Sequence, residues 1–256
     1  MIYFLLPAYN EESGMDELLV RISAVKFPDE NAHIVVVDDG STDSTPGILN
    51  RWTEKIGLTV LTHKPNQGLG RAMRTGLAHL ADTVNESDAV IAMDSDNTHD
   101  PLLAPRMRKK QLENGFDVVI ASRYAVDENE PGREVGLAWH RKILSRGASI
   151  ILSTSFNVIG AKDYTCGFRL YSGSILKKAT KIYGDDLVTE KNFVCMAEIL
   201  VKLNRIGAKI SEVPLTLRYD LKGGASKLRV LKTILRYFNL IWRYKILGEL
   251  NKYPAG

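Results

Sequence analysis

Asp94 and Asp96 stand two residues apart, directly after the apolar run 89–93. A short apolar run of this kind reads as a buried strand. Beyond its end the pleat no longer dictates where side chains point, so the two carboxylates can converge. Two hard oxygen donors in that position suit Mg2+ or Mn2+, ions that also take phosphate oxygens. An isolated Asp-x-Asp more often closes a strand and solvates a turn. Here three more polar clusters follow predicted strands: Pro7-Ala8-Tyr9-Asn10-Glu11, Asp38-Asp39-Gly40-Ser41 and Ser122-Arg123. In a parallel sheet all of these ends face one crevice, where such sheets bind ligands. Acids there ligate a metal or accept hydrogen bonds from a base and ribose, and an arginine fork pairs with phosphate. The sequence contains neither a Walker pattern nor G-x-G-x-x-G.

The elements that must position these residues follow from periodicity. Strands are predicted at 2–6, 34–37, 58–61, 89–93 and 118–121. Helices are predicted at 46–55, 71–84, 102–114, 139–159, 173–181 and 193–205, and from 227 onward. Strands alternating with helices over the first 124 residues imply βα units and a mostly parallel central sheet flanked by helices. Residues 125–133 are polar, contain Pro131 and Gly132, and read as a loop. One nucleotide-binding domain is expected over 1–228, with a C-terminal amphipathic helix and tail over 229–256.

With 45% hydrophobic and 25% charged residues in 256, the composition is that of a globular protein. A net charge of +4 is too mild to suggest a nucleic-acid partner. Two cysteines, Cys166 and Cys195, offer no disulfide framework, which fits a reducing compartment. The N-terminus lacks the basic segment and long apolar core of a signal peptide. No uncharged apolar run approaches the roughly 20 residues a bilayer span needs.

Seven short motifs, in order, resemble those of family 2 glycosyltransferases of the GT-A (Rossmann-like) fold. They are Pro-Ala-Tyr-Asn-Glu, Asp-Asp-Gly-Ser-Thr-Asp, Asn-Gln-Gly-Leu-Gly, Asp-Ser-Asp-x-x-x-x-Pro, Ser-Arg, Gly-Phe-Arg and Gly-x-Ser-Lys. The segment with Trp139, Arg141, Ser145 and Arg146, and that from Asp163 to Arg169, are most similar to dolichyl- or polyprenyl-phosphate mannosyltransferases. The resemblance implies a nucleotide-sugar donor, a polyprenyl-phosphate acceptor and Mg2+ or Mn2+. It implies nucleotide contacts from Pro7, Tyr9, Glu11, Asp38, Asp39, Ser95 and Lys227. It implies metal and diphosphate contacts from Asp94 and Asp96, and phosphate contacts from Arg123 and Arg141. Ser145 falls on the acceptor side.

The chain departs from the family pattern in three ways. Thr98 stands where a glutamine ligand is frequent, Leu221 where an arginine is frequent, and the transmembrane helices of some relatives are missing. A phosphate monoester is largely ionised at neutral pH and needs no strong base. Were the acceptor a sugar hydroxyl, Asp185, Asp186 or Glu190 would be candidate bases, although they read as solvated loop acids. His99 reads as a loop histidine, and Glu198 as a buried partner for an arginine.

The expected activity is therefore inverting transfer of a hexose, foremost mannose from GDP-mannose. The alternatives are a UDP-sugar donor with a lipid or saccharide acceptor, or a non-catalytic subunit that binds nucleotide sugar or lipid phosphate. Leu228, Leu231, Leu235, Phe238, Trp242 and Ile246 recur at helical spacing beside Arg229, Lys232, Arg236 and Arg243. Two readings fit equally: a stripe packed on the core, or a helix lying on an anionic membrane with Tyr237, Trp242 and Tyr244 at headgroup level. The second makes the chain cytoplasmic and peripheral at the membrane's cytosolic face, with a membrane protein partner conceivable.

Overall fold

The computed structural model describes residues 1–127, 130–137, 139–221 and 230–255. Lys227 and Arg229 lie outside them, as does the side chain of Arg141. In chain order the strands are β1 (Ile2–Ala8), β2 (Ala32–Asp38), β3 (Thr59–Thr62), β4 (Ala89–Ala92), β5 (Val118–Ser122), β6 (Arg133–Val135), β7 (Arg169–Ser172), β8 (Ile210–Pro214) and β9 (Thr216–Arg218). The helices are α1 (Met15–Ser23), α2 (Thr45–Ile56), α3 (Leu69–Thr83), α4 (Ala104–Asn114), α5 (Trp139–Phe156), α6 (Gly173–Tyr183), α7 (Val194–Arg205) and α8 (Val230–Ile241).

Among the described residues the main sheet runs β3-β2-β1-β4-β7-β5-β8. β1, β4 and β5 are buried almost throughout and read as near-continuous apolar runs, as sheets covered on both faces require. Pairing is parallel except at β7, which runs antiparallel to both β4 and β5. Its first residue, Arg169, pairs with Ala92 at the end of β4 and with Ile120 near the end of β5. The reversal therefore delivers the loop 163–168 to the edge where β1, β2, β4 and β5 end. α3 lies so close to β1 that a Cβ at Gly76 would come within 2.2 Å of the Leu5 side chain.

Two segments differ from the sequence expectation. Residues 133–135 form β6, a parallel partner of β9 outside the main sheet. Arg133-Glu134-Val135 carries no run of apolar residues to announce a strand. The second difference concerns α8, which continues into a π-helical turn, Trp242–Ile246. Of the stripe read as core or membrane, Leu228 lies outside the described residues, as do the side chains of Leu231 and Lys232; its described members face outward, with Leu235 68% exposed, Phe238 51%, Trp242 56% and Ile246 63%. The opposite face, with Tyr237, Leu240 and Tyr244, is buried, and α8 packs on α5 and α7. Tyr237 and Tyr244 are thus core residues and do not reach headgroup level; of the three aromatics only Trp242 is exposed. No described helix is long and apolar enough to cross a membrane.

Candidate active site

Asp94 and Asp96 follow β4 at the sheet's carboxyl edge, both partly exposed. The turn carrying them is pinned from several sides. Ser95 Oγ donates to Pro7 O (2.9 Å), tying the acid pair to the end of β1. Asp96 Oδ1 accepts from the Thr98 hydroxyl (2.6 Å) and amide (3.2 Å). Thr98 therefore orients Asp96, its hydroxyl proton being committed to that carboxylate. Asn97 adopts φ +62, a conformation asparagine tolerates better than most residues. Its amide donates to Gly14 O (2.9 Å), and its carbonyl accepts from Arg21 (3.4 Å).

His99 lies in the loop after β4, as expected of a loop histidine, but it is buried there. Its ring packs against Phe168 with centroids 5.2 Å apart. Nδ1 accepts from the Asp94 amide (3.2 Å), which places the ring proton of a neutral imidazole on Nε2. Nε2 faces Cys166 Sγ at 3.8 Å and Asp94 Oδ2 at 4.0 Å. Burial pushes the Cys166 thiol up to about 12, so it carries no nucleophile. Gly167 completes the wall: a Cβ there would lie 2.9 Å from Asp94 Oδ1, too close for any other residue without displacing the carboxylate.

At the ends of β1 and β2 the acids split in role. Asp38 Oδ1 accepts from the Ser41 amide (3.0 Å) and shapes its own turn. Asp39 is buried, and both its oxygens are engaged. Oδ1 accepts from His63 Nδ1 (2.6 Å) and Gln67 N (3.0 Å), and Oδ2 from Gly68 N (2.7 Å). His63 Nε2 reaches Thr75 Oγ1 at 2.9 Å. No sequence spacing flagged this buried Asp39–His63 pair, because the partners lie on separate strand ends. Pro7, Tyr9 and Glu11 line the same edge, partly exposed, with Glu11 N donating to Thr45 Oγ1 (2.9 Å).

Arg123 follows β5 and is 7% exposed. Nε donates to Asp163 Oδ2 and Nη2 to Asp163 Oδ1, each at 2.7 Å, a bidentate pair. Nη2 also donates to Thr165 Oγ1 (2.6 Å); Nη1 donates to Ser145 Oγ (2.8 Å) and Glu134 Oε1 (3.3 Å). All five guanidinium N–H groups are thus committed within the protein. The resemblance assigns Arg123 to phosphate; this geometry has it organising the loop 163–167, β6 and α5. Ser145 is brought to it, with Tyr124 Oη 3.4 Å from Ser145 Oγ and Arg146 5.9 Å from the Tyr124 ring. Burial opposes ionisation of Asp163, but the charge and hydrogen bonds of Arg123 hold its carboxyl below the usual carboxylate range. The loop that ends at Asp163 in one direction meets Asp94 through Gly167 in the other, so the two clusters share one wall.

The remaining acids are occupied elsewhere. Asp186 pairs with Lys252 (3.2 Å), and Glu190 with Arg243 (2.9 Å). Glu198 is fully buried and pairs with Lys202 (2.6 Å), so its partner is a lysine where an arginine was expected.

Among the described residues no three His, Cys, Asp or Glu side chains are grouped to hold a metal. Asp94 and Asp96 nevertheless suit an ion that takes one or two carboxylates and completes its shell from water and substrate phosphate. The donor set is all hard oxygen, is partly exposed, and has Thr98 fixing one carboxylate.

The model for "Glycosyl transferase family 2" matches residues 3–179. The chain is 30% identical over 250 residues to a dolichol-phosphate mannosyltransferase of Pyrococcus furiosus, across 97% of this chain and 65% of that protein. It thus spans just under two thirds of that relative. It is 29% identical to an uncharacterized protein of Methanocaldococcus jannaschii, across 97% of this chain and 90% of that one. Among solved structures, glucosyl-3-phosphoglycerate synthase from Mycobacterium tuberculosis in complex with Mg2+ and UDP has a TM-score of 0.63 at 18% identity, covering 94% of this chain and 79% of that one. Staphylococcus aureus TarS with UDP-GlcNAc has a TM-score of 0.59 at 20% identity, covering 94% and 65%. At those identities the structures share the fold: an α/β architecture with a mostly parallel sheet, as in GT-A glycosyltransferases. By the family match over residues 3–179, the chain belongs to glycosyl transferase family 2.

Proposed function

We propose that the chain transfers a hexose, foremost mannose from GDP-mannose, to a polyprenyl phosphate, with inversion and dependence on a divalent metal. The observation that carries this is the Asp94/Asp96 pair: partly exposed, pinned by Ser95, Thr98 and Asn97, and placed at the edge where parallel sheets bind ligands. Identity of 30% to a dolichol-phosphate mannosyltransferase supports mannose as the sugar and a polyprenyl phosphate as the acceptor.

Asp94 and Asp96 would hold Mg2+ or Mn2+, which neutralises charge on the departing diphosphate. Pro7, Tyr9, Glu11 and the turn that Asp38 shapes form the nucleotide side. Asp39 acts at one remove, by fixing residues 67 and 68. An ionised phosphate acceptor already has its nucleophilic oxygen, so the protein's task is alignment and charge neutralisation. Arg123 sets that alignment by holding Ser145 and the loop 163–167. Arg141 and Lys227 are assigned to phosphate and donor by the motif alone.

The exposed Leu235, Phe238, Trp242 and Ile246, with exposed Arg236 and Lys245 beside them, support docking on an anionic membrane surface. That placement matches a lipid acceptor and makes the protein peripheral at the cytosolic face. A second reading, a uridine nucleotide donor, is favoured by the UDP and UDP-GlcNAc in the structural relatives. Incubating the protein with a short polyprenyl phosphate, Mn2+ and GDP-mannose, UDP-glucose or UDP-GlcNAc in turn decides among them. Lipid-linked sugar from GDP-mannose supports the first reading, and product from a UDP-sugar supports the second. Absence of product from every donor counts against transferase activity.

A further inference from the structure

The C-terminal π-helical turn and the nucleotide edge are far apart in sequence, yet an unbroken set of contacts joins them. Tyr244 Oη donates to Glu198 Oε1 (3.0 Å) inside the core. The same carboxylate accepts from Thr189 N (2.9 Å) and Glu190 N (2.8 Å), and from the Thr189 hydroxyl. Arg243 Nη1 reaches the Glu190 carboxylate from outside (2.9 Å) while its other nitrogens grip Glu249. Residues 189 and 190 are thus held from inside by Glu198, which Tyr244 and Lys202 both engage, and from outside by Arg243. They in turn abut the glycine turn before α3. Gly70 N donates to Lys191 O (3.2 Å), and a Cβ would lie 2.5 Å from Lys191 O at Gly68 and 1.7 Å from Glu190 O at Gly70. This is backbone against backbone, with no flexible side chain between to absorb a shift. On its inner side the same turn is gripped by Asp39, through Gln67 N and Gly68 N.

We propose that Arg243 and Tyr244 are positioning residues for donor binding: they fix residues 189–191, and these fix the turn 67–70 against Asp39. The kinetic consequence rests on the donor-side reading of that edge; the structural one does not. A loosened turn forfeits pre-organisation, so it weakens nucleotide binding before it affects the chemical step. Loss of Arg243 leaves Glu190 partly buried without its cation, and the segment of residues 189–191 loses its outer anchor.

The test uses the full chain with Arg243→Ala, Tyr244→Phe, the conservative Arg243→Lys, and Arg205→Ala as a control. Arg205 holds Tyr253 O (3.0 Å) in the C-terminal tail without touching residues 189–191. Hydrogen exchange is read on the peptide spanning 66–72, which needs no ligand and no activity. Arg243→Ala and Tyr244→Phe are expected to speed exchange there by roughly fivefold, the scale of losing one ordinary hydrogen bond. Arg243→Lys restores protection in part, and Arg205→Ala leaves it unchanged. In a donor titration, Arg243→Ala raises KM severalfold while kcat stays within twofold. Unchanged exchange in Arg243→Ala, or equal loss in Arg205→Ala, overturns the positional claim. Faster exchange with unaltered nucleotide affinity keeps the mechanical link and overturns its role in donor binding. A wild type that binds neither GDP nor UDP with Mn2+ fails the donor-side reading, with the exchange result standing by itself.

Discussion

Two carboxylate clusters lie along one sheet edge, and they are built in opposite ways. Asp163 is fully buried and bound by a bidentate arginine whose every donor is committed. Asp94 and Asp96 are partly exposed, and their turn is fixed by neighbours such as Ser95, Asn97 and Thr98. A saturated buried pair holds the fold because disturbing it strands a charge. A pinned but reachable pair can take up a ligand. Aspartate is equally conspicuous in the sequence at both places; saturation separates the two.

Substitutions break this contrast along different axes. The largest effect is expected for Asp96→Ala. Transfer in an Mn2+-supplemented assay falls by about 1,000-fold or more, the scale of losing charge neutralisation at a leaving group. Its thermal midpoint stays within a few degrees, since a partly exposed carboxylate leaves no buried charge behind. Asp163→Ala behaves in reverse: urea unfolding shows a loss of about 3–5 kcal/mol, because Arg123 stays buried with its bidentate partner gone and only Glu134, at 3.3 Å, to oppose its charge.

Acid unfolding sharpens the same contrast. The folded state depresses the Asp163 carboxyl, so its stabilisation is fully present above the unfolded value of about 3.9. It is lost as pH falls through the depressed folded value. In Asp163→Asn the stability–pH curve is flatter in that acid range, checked by urea midpoints between pH 5 and pH 2. Gly167→Ala, acting where the two clusters meet, pushes a methyl toward Asp94 Oδ1 and weakens Mn2+ affinity in the presence of nucleotide by about tenfold.

The smallest effect belongs to the exposed face of α8. Arg236→Glu with Lys245→Glu reduces sedimentation with anionic liposomes at low salt, each charge contributing on the order of 1 kcal/mol. Equal sedimentation of this variant and the wild type removes the membrane reading while leaving the active-site contrast intact.

The fold was legible where the signal is local. Apolar runs such as 34–37 and 89–93 mark buried strands, and each polar end marks the edge that carries the site. β6 was not legible, because a three-residue polar strand is made by its partner β9 and by nothing in its own sequence. The outward turn of the α8 stripe was not legible either, since a helical period reveals a face without saying what covers it. At the candidate site, residue type and position marked the acid pair for a metal and Arg123 for phosphate. That Arg123 is saturated, that His99 is buried and that Asp39 grips residues 67 and 68 depends on contacts between distant strand ends. Thr98 stands in the sequence where a glutamine ligand is frequent, and in the fold its hydroxyl orients Asp96.

The central claim is that Asp94 and Asp96, and not the neighbouring Asp163 cluster, receive the metal together with a nucleoside diphosphate. Mn2+ titration followed by electron paramagnetic resonance, with GDP or UDP present, tests it most directly on the wild type, Asp94→Asn, Asp96→Asn and Glu134→Gln. The account expects nucleotide-dependent Mn2+ binding in the wild type and in Glu134→Gln, with at least about a tenfold loss of affinity in each of the other two. Mn2+ binding that survives both Asp94→Asn and Asp96→Asn, or that disappears in Glu134→Gln, would contradict it.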